Sequence, residues 1–376
     1  MRLDSLAYVR EAPEREDPPP MLSSGPLAWA RANLFSSIGS TFVTIGCVAL
    51  IAYVLPQLVG WATTRAVWSA SDGALCRQHQ DGACWAFIIA KWDYLRFGSY
   101  PVAERWRVDM AEAIGAALII WLLWMKAPAR VWAAFLFFIV YPVVALILLR
   151  GSRWFGLPVV DTQLWGGIFV SLLTAVVGIV FSLPLGVLLA LGRRSALPAV
   201  RMASIVFIEF VRGVPFITLL FMANNLLPLF VPETWTPDRL LRPLAGIIMF
   251  SAAYMAEEVR GGLQSLGRGQ YEAGMALGLN YARLTALVIL PQALTLVIPG
   301  IVNNFIGLFM DTTLISVVGA TDFLEAMNNA IKDPVWSGPT IMVTGYVFAG
   351  LFYFAFCFGM ARYSAHVERS LAKGRK

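Results

Sequence analysis

The sequence predicts an all-α protein that crosses a membrane several times, and three observations carry that expectation. Apolar residues fill 58% of the 376 positions, charged residues only 14%, and the mean hydropathy is +0.68. A soluble domain usually carries about 25% charged residues, so this chain cannot clothe a globule of its size in solvated surface. Apolar runs of about 18 residues or more recur along it, each long enough to cross roughly 30 Å of hydrocarbon. A cytosolic enzyme, a secreted disulfide scaffold and a disordered chain are thereby excluded. The formal net charge of +6 belongs to loop placement, since Lys and Arg collect on the cytoplasmic side, and no nucleic-acid partner is expected. With two His and four Cys, neither a metal site nor a cofactor is expected in this chain.

In chain order, residues 1–35 form a tail expected on the cytoplasmic side. Met1 to Pro20 mixes acids with three Arg, ends in three prolines and has no apolar core of a signal peptide. Apolar runs follow at Ser36–Val59, Val108–Met125, Val131–Leu149, Leu164–Leu191, Ala203–Phe230, Leu244–Ala256, Thr285–Phe309 and Thr340–Ala361. That gives about eight helices and places both termini on one side. The stretches Lys126–Arg130, Gly192–Arg201, Arg260–Arg283 and Arg362–Lys376, which includes the basic tail 367–376, are basic and share one side under this count. Both ends are therefore expected in the cytoplasm. Arg150 and Arg153 fall on the opposite side and break the pattern.

The loop 60–107 would face the periplasm. It holds Cys76 and Cys84, which can form a small disulfide ring in an oxidising compartment, remain free thiols, or pair with His79 around a metal. Residues 36–150 carry almost no polar groups at membrane depth. The later spans carry Asn224, Asn225, Asn303, Asn304 and Asp311. Polar groups in hydrocarbon usually face a bundle interior or a wet cavity, so a solute path is expected after the divide near Arg150–Leu164. Asn224-Asn225, close before Pro228, line that path or break the helix; the break is favoured, since Asn and Pro gather at turns.

One segment interrupts the membrane pattern, the loop 257–283, which is polar and Gly-rich. Gln270 to Leu277 can form a short helix, with Gly278 ending it by a left-handed backbone. Small Ala273 and Gly274 would let another surface approach closely. Such a helix docks a partner or lies on the lipid surface.

Glu272-Ala273-Gly274, followed at fixed spacing by Gly278 and by Val288-Ile289-Leu290-Pro291, resembles the EAA loop of ABC importer permeases. Phe210-Val211-Arg212-Gly213-Val214-Pro215, Ala253-Tyr254-Met255-Ala256-Glu257, Arg260-Gly261-Gly262, Leu290-Pro291-Gln292-Ala293 and Asp311-Thr312-Thr313-Leu314 resemble segments of the polar amino-acid branch of that family. Gly274 replaces the usual Ala, and Met310 stands where that branch has Lys. The resemblance covers residues 164–366, and the longer front half is similar to the M-type subunit of general L-amino acid permeases.

The resemblance implies a type I importer permease core preceded by three extra helices, in a bacterial inner membrane. It implies a coupling helix formed by Gln270, Glu272, Ala273, Gly274, Ala276, Leu277 and Gly278, seated on ABC ATPase subunits. Other implied partners are a paralogous permease in a heterodimer, a periplasmic amino-acid-binding protein, the amino-acid substrate and the lipid bilayer. No Gly-x-x-x-x-Gly-Lys-Ser/Thr occurs, so ATP and Mg2+ would sit on the partner ATPase. Glu257-Glu258 have no neighbouring His or Cys nucleophile, and no catalytic residue is expected.

For the solute, Asn304 and Asp311 are seven residues apart and share a helical face. Asn303, Met310, Thr312 and Thr313 lie beside it, and Asn and Thr offer both donors and acceptors to a zwitterion. The other reading of the asparagines is hydrogen-bond glue between helices. Glu209 and Arg212 are expected to pair across one helical turn as support for the coupling region, together with Glu257, Arg260 and Pro291. An ion-coupled secondary transporter or channel is the alternative function.

Overall fold

The computed structural model describes residues 25–124, 126–232 and 237–373. The tail expected over Met1 to Pro20, Met125, the segment 233–236 and the last three residues of the basic tail lie outside them. The chain forms two compact units, Met1–Ala66 and Val67–Lys376.

In the first unit, helix α1 (Pro26–Asn33) opens with Pro at its first turn and leads to α2 (Ile38–Ala62). Ser37 caps α2 by accepting from Ser40 N at 3.1 Å, while Ser40 Oγ accepts from Ser37 N at 2.9 Å. None of the residues of α2 is buried within the protein. An apolar rod of 25 residues spans about 37 Å at roughly 1.5 Å per residue, long enough for a bilayer, and its bare surface requires lipid or another helix around it.

Among its described residues, the regular structure of the second unit is helical apart from one pair of two-residue strands. Its helices are α3 (Ala74–Gln78), α4 (Trp85–Phe97), α5 (Arg105–Leu123), α6 (Arg130–Arg150), α7 (Ile168–Arg193), α8 (Pro198–Gly213), α9 (Phe216–Phe230), α10 (Leu241–Ser265), α11 (Arg268–Ala276), α12 (Tyr281–Leu296), α13 (Ile298–Val318), α14 (Phe323–Ile331) and α15 (Pro339–Lys373). The strands β1 (Gly166–Gly167) and β2 (Thr321–Asp322) pair in parallel, Gly166 opposite Thr321 and Gly167 opposite Asp322. With α2, helices α6, α7, α13 and α15 make five among the described residues that are long and apolar enough to cross a membrane.

Two expected spans are interrupted. Ala203–Phe230 is a bent pair, α8 and α9, turned by 110°. The turn falls at Val214-Pro215, where proline cannot donate the next helical bond and pushes its predecessor out of helical geometry. Thr285–Phe309 is divided at Val297 between α12 and α13, with Pro299 in the first turn of α13. The tail Arg362–Lys376 is helical as far as Lys373 and continues α15.

Proline also explains three wide turns. The π-helical segments Leu136–Val140, Met222–Leu226 and Thr285–Ile289 each end two residues before a proline: Pro142, Pro228 and Pro291. A proline ring clashes with the carbonyl four residues earlier, and one extra residue in the turn relieves the clash. At Pro228 the freed carbonyl is that of Asn224, which accepts from Arg242 Nη1 at 3.2 Å. Asn224-Asn225 therefore widen α9 and do not break it, contrary to the turn expected from composition.

The segment 60–107 is also more than a loop from Val67 onward. Cys76 and Cys84 are joined as a disulfide with Cα atoms 5.8 Å apart. Cys84 N donates to Thr344 Oγ1 at 2.9 Å, and Lys91 pairs with Asp333. Phe87, Leu95, Phe323, Met327 and Trp336 fill the core of this cap. Phe97, Tyr100, Val108 and Leu149 belong to one core with Trp165, Phe169 and Leu308. Residues 67–150 are thus built into the same unit as the later helices, and the expected divide near Arg150–Leu164 does not separate them. Apolar side chains spaced among the polar residues of this segment are enough to bury it.

Candidate functional site

The segment that resembles a coupling loop begins later than its sequence range. Residues 257–265 continue α10, and the chain leaves the helix only at Leu266. Gly261 and Gly262 are therefore helical and form no flexible connection. A Cβ on Gly262 would lie 2.5 Å from the Ala293 carbonyl oxygen, so this glycine lets α10 approach α12 closely. After Gly267, α11 runs from Arg268 to Ala276 and is closed by Gly278, whose φ of +77° lies in the left-handed region. Asn280 then caps α12 by accepting from Arg283 N at 2.9 Å.

Helix α11 has an inner and an outer side. Gly274 is buried, and a Cβ there would collide with Leu284, so its small size serves the contact with α12 and is not offered to a partner. Gln270, Glu272, Ala273, Ala276, Leu277 and Gly278 are exposed. So is Met275 at 59%, and Leu277 reaches 81%. Two large apolar side chains beside an exposed carboxylate form a patch suited to another protein. Met275 was missed from the sequence, although apolar exposure on a polar segment is a usable signal. Tyr271 was missed as well. Its hydroxyl and the Arg194 guanidinium meet at 3.1 Å, with the guanidinium 5.7 Å from the ring centre, which ties α11 to the end of α7. Gln292 Nε2 donates to Gln270 Oε1 at 3.4 Å, and Gln292 also reaches Val288 O at 2.9 Å. Pro291 beside it closes the π turn that sets this register.

Above α11 lies an ionic hub. Glu257 Oε1 accepts from Arg193 Nη1 at 2.8 Å, and Glu257 Oε2 accepts from Arg260 Nε and Nη2 at 3.0 and 2.7 Å. Arg212 approaches Glu257 at 3.7 Å and stands over the Tyr254 ring. Glu209 pairs with Arg193 at 2.9 Å, so Glu209 and Arg212 do not pair with each other. Their three-residue spacing permits that contact, but Arg193 takes Glu209 and the better buried Glu257 draws Arg212. One carboxylate with three guanidiniums thus joins α7, α8 and α10.

The expected solute-path residues differ in their surroundings. Asn304 Oδ1 accepts from Ser251 Oγ at 2.9 Å, which joins α13 to α10. Asn303 and Met310 are exposed and Asp311 is half-buried. Thr312 Oγ1 donates to Phe309 O at 2.8 Å and Thr313 Oγ1 to Met310 O at 2.9 Å. Both hydroxyl protons are thereby used within the helix, in its 3-10 last turns, and each oxygen keeps only acceptor capacity.

At the other end of α10, β2 leads into α14 through Asp322. Its carboxylate caps α14 by accepting from Leu324 N and Glu325 N, both at 3.0 Å, and the Tyr353 hydroxyl lies 3.4 Å away. Asp322 is fully buried, and burial pushes its carboxyl up to about 6.

Residues 182–373 match the family described as "Binding-protein-dependent transport system inner membrane component". The chain is 46% identical over 358 residues to the inner membrane amino-acid ABC transporter permease protein YhdY of Escherichia coli (strain K12), covering 94% of this chain and 95% of that one. It is 36% identical over 437 aligned positions to the glutamate/glutamine/aspartate/asparagine transport system permease protein BztC of Rhodobacter capsulatus, covering all of both. A crystal structure of an amino acid ABC transporter with histidines aligns with 54% of this chain and 92% of its own at 24% identity and a TM-score of 0.48.

The family match and the two full-length relatives define a permease subunit of an ATP-binding-cassette importer, a multi-pass inner-membrane protein rather than an enzyme. The chain belongs to the family of binding-protein-dependent transport system inner membrane components.

Proposed function

We propose that this chain carries L-amino acids into the cytoplasm as one subunit of a heterodimeric importer, driven by separate ATPase subunits that dock on the outer side of α11. ATP and Mg2+ are held by those subunits. The observation that carries the reading is the exposed set Glu272, Ala273, Met275, Ala276 and Leu277, presented on a segment anchored to α7 and α12. Force applied at this patch reaches the bundle through Tyr271–Arg194, Gly274–Leu284 and Gln270–Gln292. A tightly docked motor moves nothing unless the two conformations differ in their contacts to motor or solute.

The printed names of the two relatives support amino acids as the cargo class. The basic stretches around Lys126–Arg130, Gly192–Arg201 and Arg268–Arg283 support cytoplasmic termini. A paralogous permease and a periplasmic binding protein complete the assembly. The half-buried Asp311 and exposed Asn303 and Met310 are the groups of α13 left to meet a solute, while Asn304 holds α13 to α10. The test is purification of the tagged chain from its native membrane, followed by an amino-acid-stimulated ATPase assay. Recovery of a nucleotide-binding subunit whose turnover rises with amino acid and binding protein is expected; isolation of the chain without any such subunit overturns the reading.

A further inference from the structure

A cavity of about 150 Å3 lies at the end of α10 farthest from α11, lined among others by Thr162, Gln163, Trp165, Arg239, Gly319 and Thr321. Three elements fix its walls. Thr162 Oγ1 donates to Asp238 Oδ1 at 2.8 Å, and the same oxygen accepts from Leu240 N at 2.9 Å, so the turn carrying Arg239 is pinned to Thr162. Thr321 is held by its register opposite Gly166. Gly319 has φ +82°, and a Cβ there would strike the Arg239 guanidinium, so the arginine lies directly against the glycine backbone.

Two donors at the cavity lack a partner among the described residues of the protein, the buried Trp165 indole and the exposed Arg239 guanidinium. The Trp165 indole N–H is buried with no hydrogen-bond partner, although the residue is only 5% exposed. Among the described residues Arg239 forms no ion pair. The neighbouring Asp238 carboxylate is turned to Thr162 and Leu240 N instead. A buried N–H left unpaired costs about 1–3 kcal/mol, and a guanidinium prefers a planar two-oxygen acceptor. One carboxylate would serve both.

We infer that this cavity binds a carboxylate at the outer face of the permease. The inference rests on the proposed function, in which this end of α10 points away from the ATPase. A space of this size admits a carboxylate with a short carbon chain and excludes a large ligand. Such a carboxylate has two sources in the assembly: the free amino acid arriving from outside, or an Asp or Glu side chain of the docked binding protein.

The experiment uses the full chain labelled with 5-fluorotryptophan in lipid nanodiscs. The 19F resonance that disappears in Trp165→Phe, or in Trp165→Tyr if the first variant does not fold, is that of Trp165. Millimolar acetate is expected to shift it, while acetamide and sodium chloride of equal ionic strength leave it in place. In Arg239→Gln the response to acetate weakens at least about tenfold, as loss of a charge-assisted pair requires, whereas Arg153→Gln keeps it.

Two further titrations separate the sources. A shift produced by L-glutamate alone assigns the site to the free amino acid; a shift produced only by amino-acid-free binding protein assigns it to a docked side chain. Either outcome supports the inference. A Trp165 resonance unmoved by acetate, glutamate and binding protein overturns it, and so does a shift that survives in Arg239→Gln. Co-purification of the ATPase with the same chain is scored separately. Its absence sinks the importer reading and leaves the acetate response to be judged by itself.

Discussion

The two ends of α10 are built on opposite plans. At one end, Glu257 gathers three guanidiniums from three helices, and the short α11 beyond it displays Met275 and Leu277 to its surroundings. At the other, the chain is tied down by the Cys76–Cys84 disulfide, the β1–β2 pair, the Lys91–Asp333 ion pair and the buried cap Asp322. Charge pairs near the surface can be exchanged at low cost, whereas a covalent ring over a packed core cannot. The difference teaches where movement can enter. A motor acting on α11, as proposed, would meet contacts that are reversible by nature, while the opposite end is held by a covalent ring and a packed core.

Ways to break this contrast follow in order of expected size. Glu272→Arg reverses charge at the centre of the exposed patch and should abolish co-purification of the ATPase while the chain still inserts into the membrane. Retained co-purification would remove Glu272 from the docking surface. Cys76→Ser with Cys84→Ser opens a ring of eight-residue separation, for which chain entropy gives about 2–3 kcal/mol. The thermal midpoint should fall accordingly, and addition of reductant should lower it for the native chain but not for the double variant.

Glu257→Gln leaves three guanidiniums sharing a neutral amide. Removing one partner from a partly buried cluster should cost about 2–3 kcal/mol. It should also loosen the coupling end selectively, so that hydrogen exchange rises around residues 193–212 and not in the cap. A uniform rise across both ends would dissolve the contrast.

The cap end should respond to pH instead. The Asp322 carboxyl sits at about 6 when folded against 3.8 as its ordinary value. Its protonated form is therefore favoured by folding. That contribution is complete below about 4 and is lost as pH rises through about 6; a shift of this size corresponds to on the order of 3 kcal/mol. Asp322→Asn keeps a side-chain oxygen for the cap and removes the titration. The slope of the thermal midpoint between pH 4 and 6 should be shallower in the variant than in the native chain, and identical slopes would contradict the assignment.

Much of the coupling end was legible because its chemistry is local. The short helix over Gln270 to Leu277, its termination at Gly278 and the Pro291 that follows depend on backbone rules within a few residues. What was illegible depends on distant partners. Gly274 looked like an opening for another surface, but it faces Leu284. Glu209 and Arg212 looked like a pair, but Arg193 and Glu257 compete for them from other helices. The cap reads as a loop in sequence, since Trp85–Phe97 is too short for a span and its burial needs Phe323, Met327 and Trp336 from far along the chain. The bend at Val214-Pro215 could have been read from Pro215 itself; the length of the surrounding apolar run concealed it.

The outer side of α11 is the proposed surface through which a separate ATPase works the bundle. A photo-crosslinking amino acid placed at Leu277 and, separately, at Leu229 on α9 tests this in the intact assembly, since both side chains are exposed, at 81% and 76%. Position 277 should yield an adduct of the ATPase subunit and position 229 should yield none. If the ATPase co-purifies yet position 277 captures only lipid or nothing, the coupling surface lies elsewhere and the central claim fails.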